Sequence, residues 1–315
     1  MTVRFAALGD SLTEGIGDPV PGGWRGWAAL LAPGLSPGAV EFRNLADSGS
    51  LSRDLLVSQL PVALAFRPRY AAVVVGGNDT LRASFDLELT ARHFAAALSS
   101  LTSAGAVPLT ACLPDPGRLL GLPAPLARPL ARRMRGVNAV VHGLSEHYGA
   151  VHQHLADLPW TRDRTLLSVD RLHPSAAGHQ VIARGFHALL AEAGHPVGAP
   201  PEELAVGAPG PGADLWWMLT RGTRWVAARS TDLLPGLVAL AALEARHLLR
   251  RSTRQLDRAE ARATAELVAR LTAEAPTGTA PTPAPTAPPP TAPAVSGAAG
   301  QAPDTGSRTA AGGGQ

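Results

Sequence analysis

A serine stands on a sharp turn close to the amino terminus. Gly9-Asp10-Ser11 follows directly on the apolar residues 3–8. A serine on a turn that leaves a strand lies at the edge of a sheet, near the backbone N–H groups that open the next helix. This is a suitable position for a nucleophilic hydroxyl. In isolation, the same string is also typical of a helix that begins with a Ser or Asp cap.

An acid and a base lie three residues apart much later in the chain, in the string Asp170-Arg171-Leu172-His173. A serine hydroxyl is a poor nucleophile at neutral pH, so an imidazole must accept its proton during attack. His173 is the candidate for this base. Asp170 is the candidate acceptor for the other ring N–H, where it would fix the tautomer and stabilise the imidazolium.

Two further segments offer hydrogen-bond donors. Gly49 follows the strand-like residues 40–42, and Asn78 follows the apolar residues 73–75 in the string Gly76-Gly77-Asn78-Asp79. An attacked carbonyl develops a negative oxygen that must be stabilised by donors already in place. The backbone N–H groups of Ser11 and Gly49 and the side-chain amide of Asn78 are three such donors.

Taken in their order along the chain, these four segments resemble the signature blocks of the SGNH, or GDSL, hydrolase family. They span the first two thirds of the chain. The resemblance implies that Ser11 is the nucleophile and that Asp170 and His173 are the acid and base. It also implies that Gly49 and Asn78, with the Ser11 N–H, form the oxyanion hole. The implied activity is cleavage of carboxylic esters through an acyl-enzyme, with no metal or organic cofactor.

The resemblance leaves the substrate open, because family members act on lipid esters, lysophospholipids, thioesters and acetylated sugars. An acyltransferase would use the same residues. A non-catalytic scaffold acting through the carboxyl-terminal region is the alternative from another class. One position departs from the family pattern: Asp47, two residues before Gly49, stands where the family more often has an apolar residue.

Apolar runs alternate with helical patterns, which predicts an α/β fold: a three-layer α/β/α sandwich around a parallel, flavodoxin-like sheet of about five strands. Ser11, Gly49 and Asn78 each follow the carboxyl end of a predicted strand, so we expect them to converge at one sheet edge. The predicted strands are residues 3–8, 40–45, 70–75, 107–111 and 151–155. The predicted helices are residues 27–31, 51–66, 87–102, 129–148 and 175–193.

Composition narrows the class of protein. The chain has 315 residues and a net charge of +3, with no dense basic cluster, which argues against a nucleic-acid partner. Its one cysteine, Cys112, excludes an internal disulfide and is expected to be an inert core residue. No apolar leader precedes the first strand, so we expect a cytoplasmic protein. The later apolar residues 233–243 fall short of the ~20 residues of a spanning helix.

Several histidines lie outside these segments. His152 and His154 alternate along one predicted strand and suggest a metal pair, but the sequence shows no cysteine or carboxylate cluster to complete it. We therefore expect packing or edge roles for them, and a packing role for His179. A metallohydrolase, the disfavoured alternative, would use Asp10, Asn78 and His173 as ligands.

The carboxyl-terminal third changes in composition. We expect a hydrolase domain over residues 1–195, a Pro/Gly linker over 196–212, a helical extension over 213–274 and a disordered Ala/Pro/Thr/Gly tail over 275–315. The Trp/Arg-rich start of the extension suits contact with a membrane surface or a partner, but we expect the extension to fold back on the hydrolase domain. The oligomeric state stays open. Residues 114–128 are the predicted loop for substrate specificity.

Overall fold

A five-stranded parallel sheet forms the centre of the molecule, with strand order β4-β1-β5-β6-β7. The computed structural model describes residues 2–158, 163–202, 240–242, 244–250 and 252–274. The strands are β1 Val3–Gly9, β2 Pro19–Val20, β3 Gly23–Trp24, β4 Val40–Asn44, β5 Tyr70–Val74, β6 Val107–Cys112 and β7 Val151–His154, where β2 and β3 form a separate two-stranded hairpin.

Helices cover both faces of the sheet. They are α1 Ser11–Glu14, α2 Gly26–Leu31, α3 Ser52–Asp54, α4 Leu60–Phe66, α5 Gly77–Leu81, α6 Leu87–Ser103, α7 Pro116–Leu119, α8 Ala124–His147, α9 Ala176–Glu192 and α10 Thr253–Glu274. Helix α2 packs against α9, whereas α6 contacts both α4 and α8, so two helical layers enclose the sheet. The predicted three-layer α/β/α fold is confirmed, and its strand order is that of flavodoxin.

The strands follow the predicted runs to within one residue. Every residue of β5 and of β6 is buried, because helices cover both faces of the sheet. A strand of this kind appears in the sequence as a continuous apolar run. In such a sheet the carboxyl ends of all strands lie at one edge. The segments that follow β1, β4 and β5 therefore meet there.

The predicted helix over residues 51–66 is interrupted. A π-helical segment, Leu55–Gln59, separates α3 from α4, and the Leu60 N–H bonds to the Leu55 carbonyl five residues back. Pro61 has no N–H for the α-helical bond to the Val57 carbonyl, so the regular ladder cannot run through this position. Gln59 is the last residue of this wider turn.

The start of the long helix α8 also differs from the prediction. The helix begins at Ala124, five residues before the predicted start, and Pro129 lies inside it. Pro125 occupies the first turn, where a missing N–H costs nothing. Residues 116–119 form α7, so the segment 114–128 that was predicted as a loop is largely helical.

Part of the carboxyl-terminal extension lies against the hydrolase core. Helix α10 packs on α8, and Arg132 of α8 bonds to Glu244 and Asp257. The Trp/Arg-rich residues 213–239 and the tail 275–315 lie outside the described residues, and the domain boundaries stay predictions. No helix in the described ranges has both the length and the apolar character to cross a bilayer.

Candidate active site

The turn after β1 places Ser11 at the sheet edge. Ser11 is the first residue of α1, and the Asp10 carboxylate caps that helix by accepting the Leu12 N–H at 3.1 Å. Gly9 packs so closely on β5 that an added Cβ would lie 2.3 Å from the Val74 carbonyl oxygen. A side chain at position 9 would therefore displace the turn from the sheet.

Ser11, His173 and Asp170 form a hydrogen-bonded chain. The Ser11 Oγ lies 2.7 Å from the His173 Nε2, and the His173 Nδ1 lies 2.6 Å from the Asp170 Oδ2. The other Asp170 oxygen accepts the Leu172 and His173 N–H groups, both at 2.9 Å. The imidazole is buried at 6% exposure, and Ser11 is half-buried. The hydroxyl thus faces a ring nitrogen whose opposite side is held by a carboxylate.

Short loop contacts fix the position of His173. Its carbonyl accepts the Ser168 N–H at 2.8 Å, and the flanking Pro174 pairs with Leu167 in a single antiparallel bridge. The loop also backs directly onto the segment after α1, because an added Cβ on Gly17 would lie 1.9 Å from the Pro174 carbonyl oxygen. Gly17 has φ 105°, which other residues rarely adopt. The two loops therefore touch.

The segments that hold Gly49 and Asn78 are tied together. The Asn78 amide lies 3.2 Å from the Ser50 carbonyl and 3.3 Å from the Asp10 Oδ2. Asp79 accepts both the backbone N–H and the hydroxyl of Ser52, at 3.0 Å and 2.6 Å. These bonds fix the turn that contains Gly49 against the end of β5.

Two of the predicted backbone donors have no protein acceptor. Among the described residues, the Ser11 and Gly49 N–H groups donate to no protein acceptor, while the neighbouring Leu12 and Ser50 N–H groups do. Free N–H groups at the start of a helix and in a tight turn suit a negatively charged oxygen. Asp47, the departure from the family pattern, has an exposed side chain that needs no apolar surroundings.

The pKa values of the two buried carboxylates, Asp10 and Asp170, shift in opposite directions. Desolvation raises the pKa of Asp10 to about 6, because the few N–H groups around it only partly replace water. Burial alone would also raise the pKa of Asp170. The hydrogen bond and charge of His173, with the Leu172 and His173 N–H groups, outweigh it and hold the pKa of Asp170 below its usual range.

A model of the GDSL-like lipase/acylhydrolase family matches residues 7–181, more than half of the chain. The chain belongs to this family. It is a carboxylic ester hydrolase of the GDSL type. No curated protein sequence gives a significant match.

Solved structures of GDSL-type proteins resemble the chain. Axe2, an acetylxylan esterase from Geobacillus stearothermophilus, is 20% identical with a TM-score of 0.48, over 60% of this chain and 94% of that chain. A lipolytic protein of the G-D-S-L family from Desulfitobacterium hafniense is 20% identical with a TM-score of 0.48, over 60% and 99%. The lipase/acylhydrolase from Enterococcus faecalis is 17% identical with a TM-score of 0.48, over 64% and 100%.

Gln59 supports the active-site turn of this GDSL-type hydrolase, although the sequence analysis did not identify it. Its side chain accepts the Gly9 N–H at 2.8 Å and donates to the Gly9 carbonyl at 2.9 Å and to the Ser50 Oγ at 3.2 Å. It thus connects the end of β1 to the turn that holds Gly49. The only signal in the sequence is a polar residue two positions before Pro61, where a regular amphipathic helix was expected.

The other histidines do not contact Ser11. His179 is fully buried, accepts the Trp27 N–H at 3.2 Å and donates to the Ile16 carbonyl at 2.9 Å. Desolvation lowers its pKa to about 4, so it stays neutral and holds two loops together.

The structure contradicts one premise of the sequence analysis. No cysteine was expected near His152 and His154, but β6 places Cys112 beside them. The residues are 40 positions apart in sequence, and only the pairing of β6 with β7 brings them together.

Proposed function

We propose that this GDSL-type enzyme hydrolyses carboxylic esters through an acyl-enzyme on Ser11. The observation that carries the proposal is the continuous path from the Ser11 Oγ to the His173 Nε2, at 2.7 Å, and from the His173 Nδ1 to Asp170, at 2.6 Å. This path lets one imidazole accept the hydroxyl proton while a carboxylate holds the ring in the required tautomer.

In the acylation half, the Ser11 Oγ attacks the ester carbonyl as its proton moves to the His173 Nε2. The carbonyl oxygen becomes negative and accepts hydrogen bonds from the Ser11 and Gly49 N–H groups and the Asn78 amide. Asp170 stabilises the imidazolium. The imidazolium then returns the proton to the departing alkoxide, the C–O bond breaks and the alcohol leaves.

In the deacylation half, water takes the place of the alcohol. His173 accepts a proton from the water as its oxygen attacks the acyl-Ser11 ester, and the same three donors stabilise the second oxyanion. The proton passes to the Ser11 Oγ as the acyl bond breaks, which releases the acid and restores the enzyme. Each step uses groups of the chain and water.

Asp10 supports one of the proposed donors. The Asn78 amide nitrogen lies 3.3 Å from the Asp10 Oδ2 and 3.2 Å from the Ser50 carbonyl. Its two hydrogens are both used in these bonds, so binding of the oxyanion requires release of one acceptor while the other keeps the amide in place. A donor held close to its working position contributes more to the rate than a flexible one. Asp10 is therefore proposed as a positioning residue for the oxyanion hole.

A fluorophosphonate probe tests the nucleophile directly, because it reacts with a serine that a neighbouring base activates. We expect stoichiometric labelling of the folded wild type and no labelling of Ser11→Ala. Ser48→Ala is the matched control, since Ser48 is an exposed serine in the neighbouring Gly49 turn, and it should be labelled like the wild type. Labelling that persists in Ser11→Ala, or a folded wild type that is not labelled, would contradict the proposal.

The substrate is proposed as a small-molecule, lipid or acetylated-sugar ester. A panel of p-nitrophenyl esters from acetyl to long acyl chains reports the size of the acyl pocket. Product analysis with added alcohols then measures how the acyl group divides between water and alcohol. A hydrolase gives mainly the free acid, whereas transfer to alcohol at low alcohol concentration would identify an acyltransferase.

A further inference from the structure

Four potential metal ligands meet at the ends of β6 and β7. Ligand atoms of Cys112, His152 and His154 all lie within 4.8 Å of one another. His142, on α8, lies beside this group, with its ring centroid 5.2 Å from the ring centroids of both His152 and His154. Two strands and one helix thus contribute to one cluster. In the sheet, β5 separates these strands from β1, the strand that leads to Ser11.

A chain of hydroxyl groups fixes which nitrogen of His152 carries the proton. The Ser145 hydroxyl donates to the Val141 carbonyl at 2.5 Å, so it accepts from Thr110, whose Oγ1 lies 2.6 Å away. Thr110 has one proton and uses it there, so it accepts the His152 Nδ1–H at 2.9 Å. The Nε2 lone pair of neutral His152 therefore faces the Cys112 Sγ, 3.0 Å away.

His142 also presents a free nitrogen. Its Nε2 lies 3.1 Å from the Glu146 carboxylate, whereas its Nδ1 is buried and has no hydrogen-bond partner in the described part of the chain. A buried ring nitrogen without a partner is costly in a folded protein. Histidine ligands of metals commonly bind with one nitrogen while the other donates to a carboxylate, as the Glu146 contact allows.

We propose that Cys112, His142, His152 and His154 bind one Zn²⁺ ion. One thiolate and three imidazoles form a four-ligand set of the kind that holds zinc in a tetrahedral arrangement. Zn–N bonds of about 2.0–2.1 Å and Zn–S bonds of about 2.3 Å place neighbouring ligand atoms roughly 3.3–3.7 Å apart in such a site. The Cys112 Sγ and the His152 Nε2 lie 3.0 Å apart, and the ligand atoms of Cys112, His152 and His154 all lie within 4.8 Å of one another. The proposal requires side-chain rotations that close these atoms and the His142 Nδ1 around one ion.

Binding is coupled to loss of one proton. Without the ion, Cys112 can donate its S–H to the His152 Nε2, 3.0 Å away, whereas the thiolate is the form that binds Zn²⁺. Zn²⁺ replaces the thiol proton: the S–H bond breaks, a Zn–S bond forms and the proton passes to the buffer.

The consequence for the protein is a cross-link between three elements. Cys112 ends β6, His154 ends β7, and His142 lies in the last part of α8. An ion bound by all three resists separation of the outer strands from the helix that covers them. A ligand that binds only the folded state raises the free energy of unfolding according to its concentration and affinity. We infer a structural role rather than a role in ester hydrolysis.

The experiment uses the full chain after removal of metals by a chelator. Titration with Zn²⁺ should show one ion bound per chain, release of one proton per ion and a rise in melting temperature. Titration with Co²⁺ should produce the near-ultraviolet absorption of a thiolate-to-cobalt charge transfer. Cys112→Ser should lose this absorption and the proton release, and it should bind Zn²⁺ at least about 10-fold more weakly.

Two histidine variants complete the test. His154 is exposed, so His154→Ala should fold normally and bind Zn²⁺ at least about 10-fold more weakly. His147→Ala is the matched control, because His147 lies near His142 on α8 but packs on Tyr148, and it should bind like the wild type. No binding at micromolar Zn²⁺, or binding unchanged in both Cys112→Ser and His154→Ala, would overturn the proposal. Fluorophosphonate labelling of Ser11 should be unchanged in every one of these variants.

Discussion

In two places in this protein a serine, a histidine and an aspartate are joined by hydrogen bonds. The two groups differ in the direction of the hydrogen bond between the serine and the histidine. In the first set the Ser11 hydroxyl faces the His173 Nε2 at 2.7 Å. In the second, the Ser52 hydroxyl donates to Asp79 at 2.6 Å, so the His93 Nδ1, 3.0 Å away, can only donate to Ser52. A histidine that donates to a serine cannot remove its proton. Of these two serines, Ser11 is the one whose hydroxyl can pass its proton to the histidine beside it.

The side-chain amide of Asn78 is expected to stabilise the transition state rather than the fold. Asn78→Ala should lower kcat by about 100- to 1000-fold, the usual effect of losing one oxyanion donor. KM should change little, because the donor acts mainly on the charged oxygen of the transition state. Steady-state kinetics with a p-nitrophenyl ester and thermal melting of the same samples measure both effects. A variant with unchanged kcat would remove Asn78 from the proposed oxyanion hole.

The buried carboxyl of Asp10 should make stability depend on pH. Its pKa is about 6 in the folded protein against an ordinary value of 3.8, so between these values the folded state binds more protons than the unfolded state. The free energy of unfolding contributed by this group is therefore highest at low pH and is lost as pH rises through about 6. Relative to Asp10→Asn, the wild type should lose about 2 kcal/mol between about pH 4 and pH 7.

Chemical denaturation of both proteins across this range measures the difference. The asparagine side chain of the variant keeps an oxygen for the helix cap, so the comparison mainly removes the charge. Asp86→Asn makes the same replacement at the exposed cap of α6 and serves as the control. A difference between wild type and Asp10→Asn that stays constant with pH would show that the carboxyl does not titrate in this range.

At the scale of elements, the sequence predicts the strands, because each buried strand is a continuous run of apolar residues. Strands such as β5 and β6 are buried on both faces, so their apolar runs end where the strands end. The irregular helices were missed for a local reason. Pro61 lies in the first turn of α4, so the predicted helix over residues 51–66 is interrupted before it by the π-helical segment. Pro129, the predicted start of its helix, lies inside α8 because Pro125 occupies the first turn.

The residues of the candidate site and of the Cys112 cluster also divide into two classes: those that a local string of sequence predicts and those that long-range contacts bring together. Ser11, Asn78 and His173 were found because each lies in a short local string at the end of a strand or before a helix. Gln59 and the pairing of Cys112 with the β7 histidines were missed because long-range contacts create them. Local spacing carries no information about which side chains two distant segments bring together.

Gln59, in the π-helical segment, should be a positioning residue for the nucleophile turn. Gln59→Met keeps the volume but leaves the Gly9 N–H and carbonyl without their side-chain partner. The Gly9 carbonyl still accepts the Asp47 N–H at 3.3 Å, so the Gly9 N–H is the buried group left unsatisfied. Such a group costs about 1–3 kcal/mol, and the free energy of unfolding should fall by that amount. We also expect kcat to fall with KM nearly unchanged, because displacement of the turn moves Ser11 away from His173.

The control for this variant lies in the same turn of helix. Val57 is 68% exposed, so Val57→Ala should leave both stability and kcat close to the wild type. Denaturation curves and steady-state kinetics on the two variants separate a local effect of Gln59 from a general effect of changing the π-helical segment. If Gln59→Met loses stability but retains full kcat, its role is structural only.

At the scale of the whole molecule, Arg132 joins the carboxyl-terminal helices to the hydrolase core. Its side chain is 8% exposed and bonds to Glu244, which is 1% exposed, at 3.1 Å and to Asp257 at 2.7 Å. Arg132→Met would leave the Glu244 carboxylate buried without its partner. Breaking a buried pair in this way typically costs about 3–5 kcal/mol. We expect α10 to become sensitive to proteases while kcat stays unchanged.

Limited proteolysis and denaturation measure this effect. Arg135→Met is the matched control, because Arg135 is 63% exposed and lies 3.5 Å from the same Asp257. An exposed pair contributes at most about 1 kcal/mol, so the control should resist proteases like the wild type. Equal behaviour of the two variants would show that the buried ion pair does not hold the helix on the core.

The contact between the loop after α1 and the loop before α9 has a consequence for the order of events during biosynthesis. Ser11 leaves the ribosome well before His173, because His173 follows β7, the last strand of the sheet along the chain. A nascent chain that has emerged only as far as β7 carries the hydroxyl without the imidazole that activates it. Under the proposed mechanism, incomplete translation products are inert, and ester cleavage begins only when the loop around Pro174 docks against Gly17.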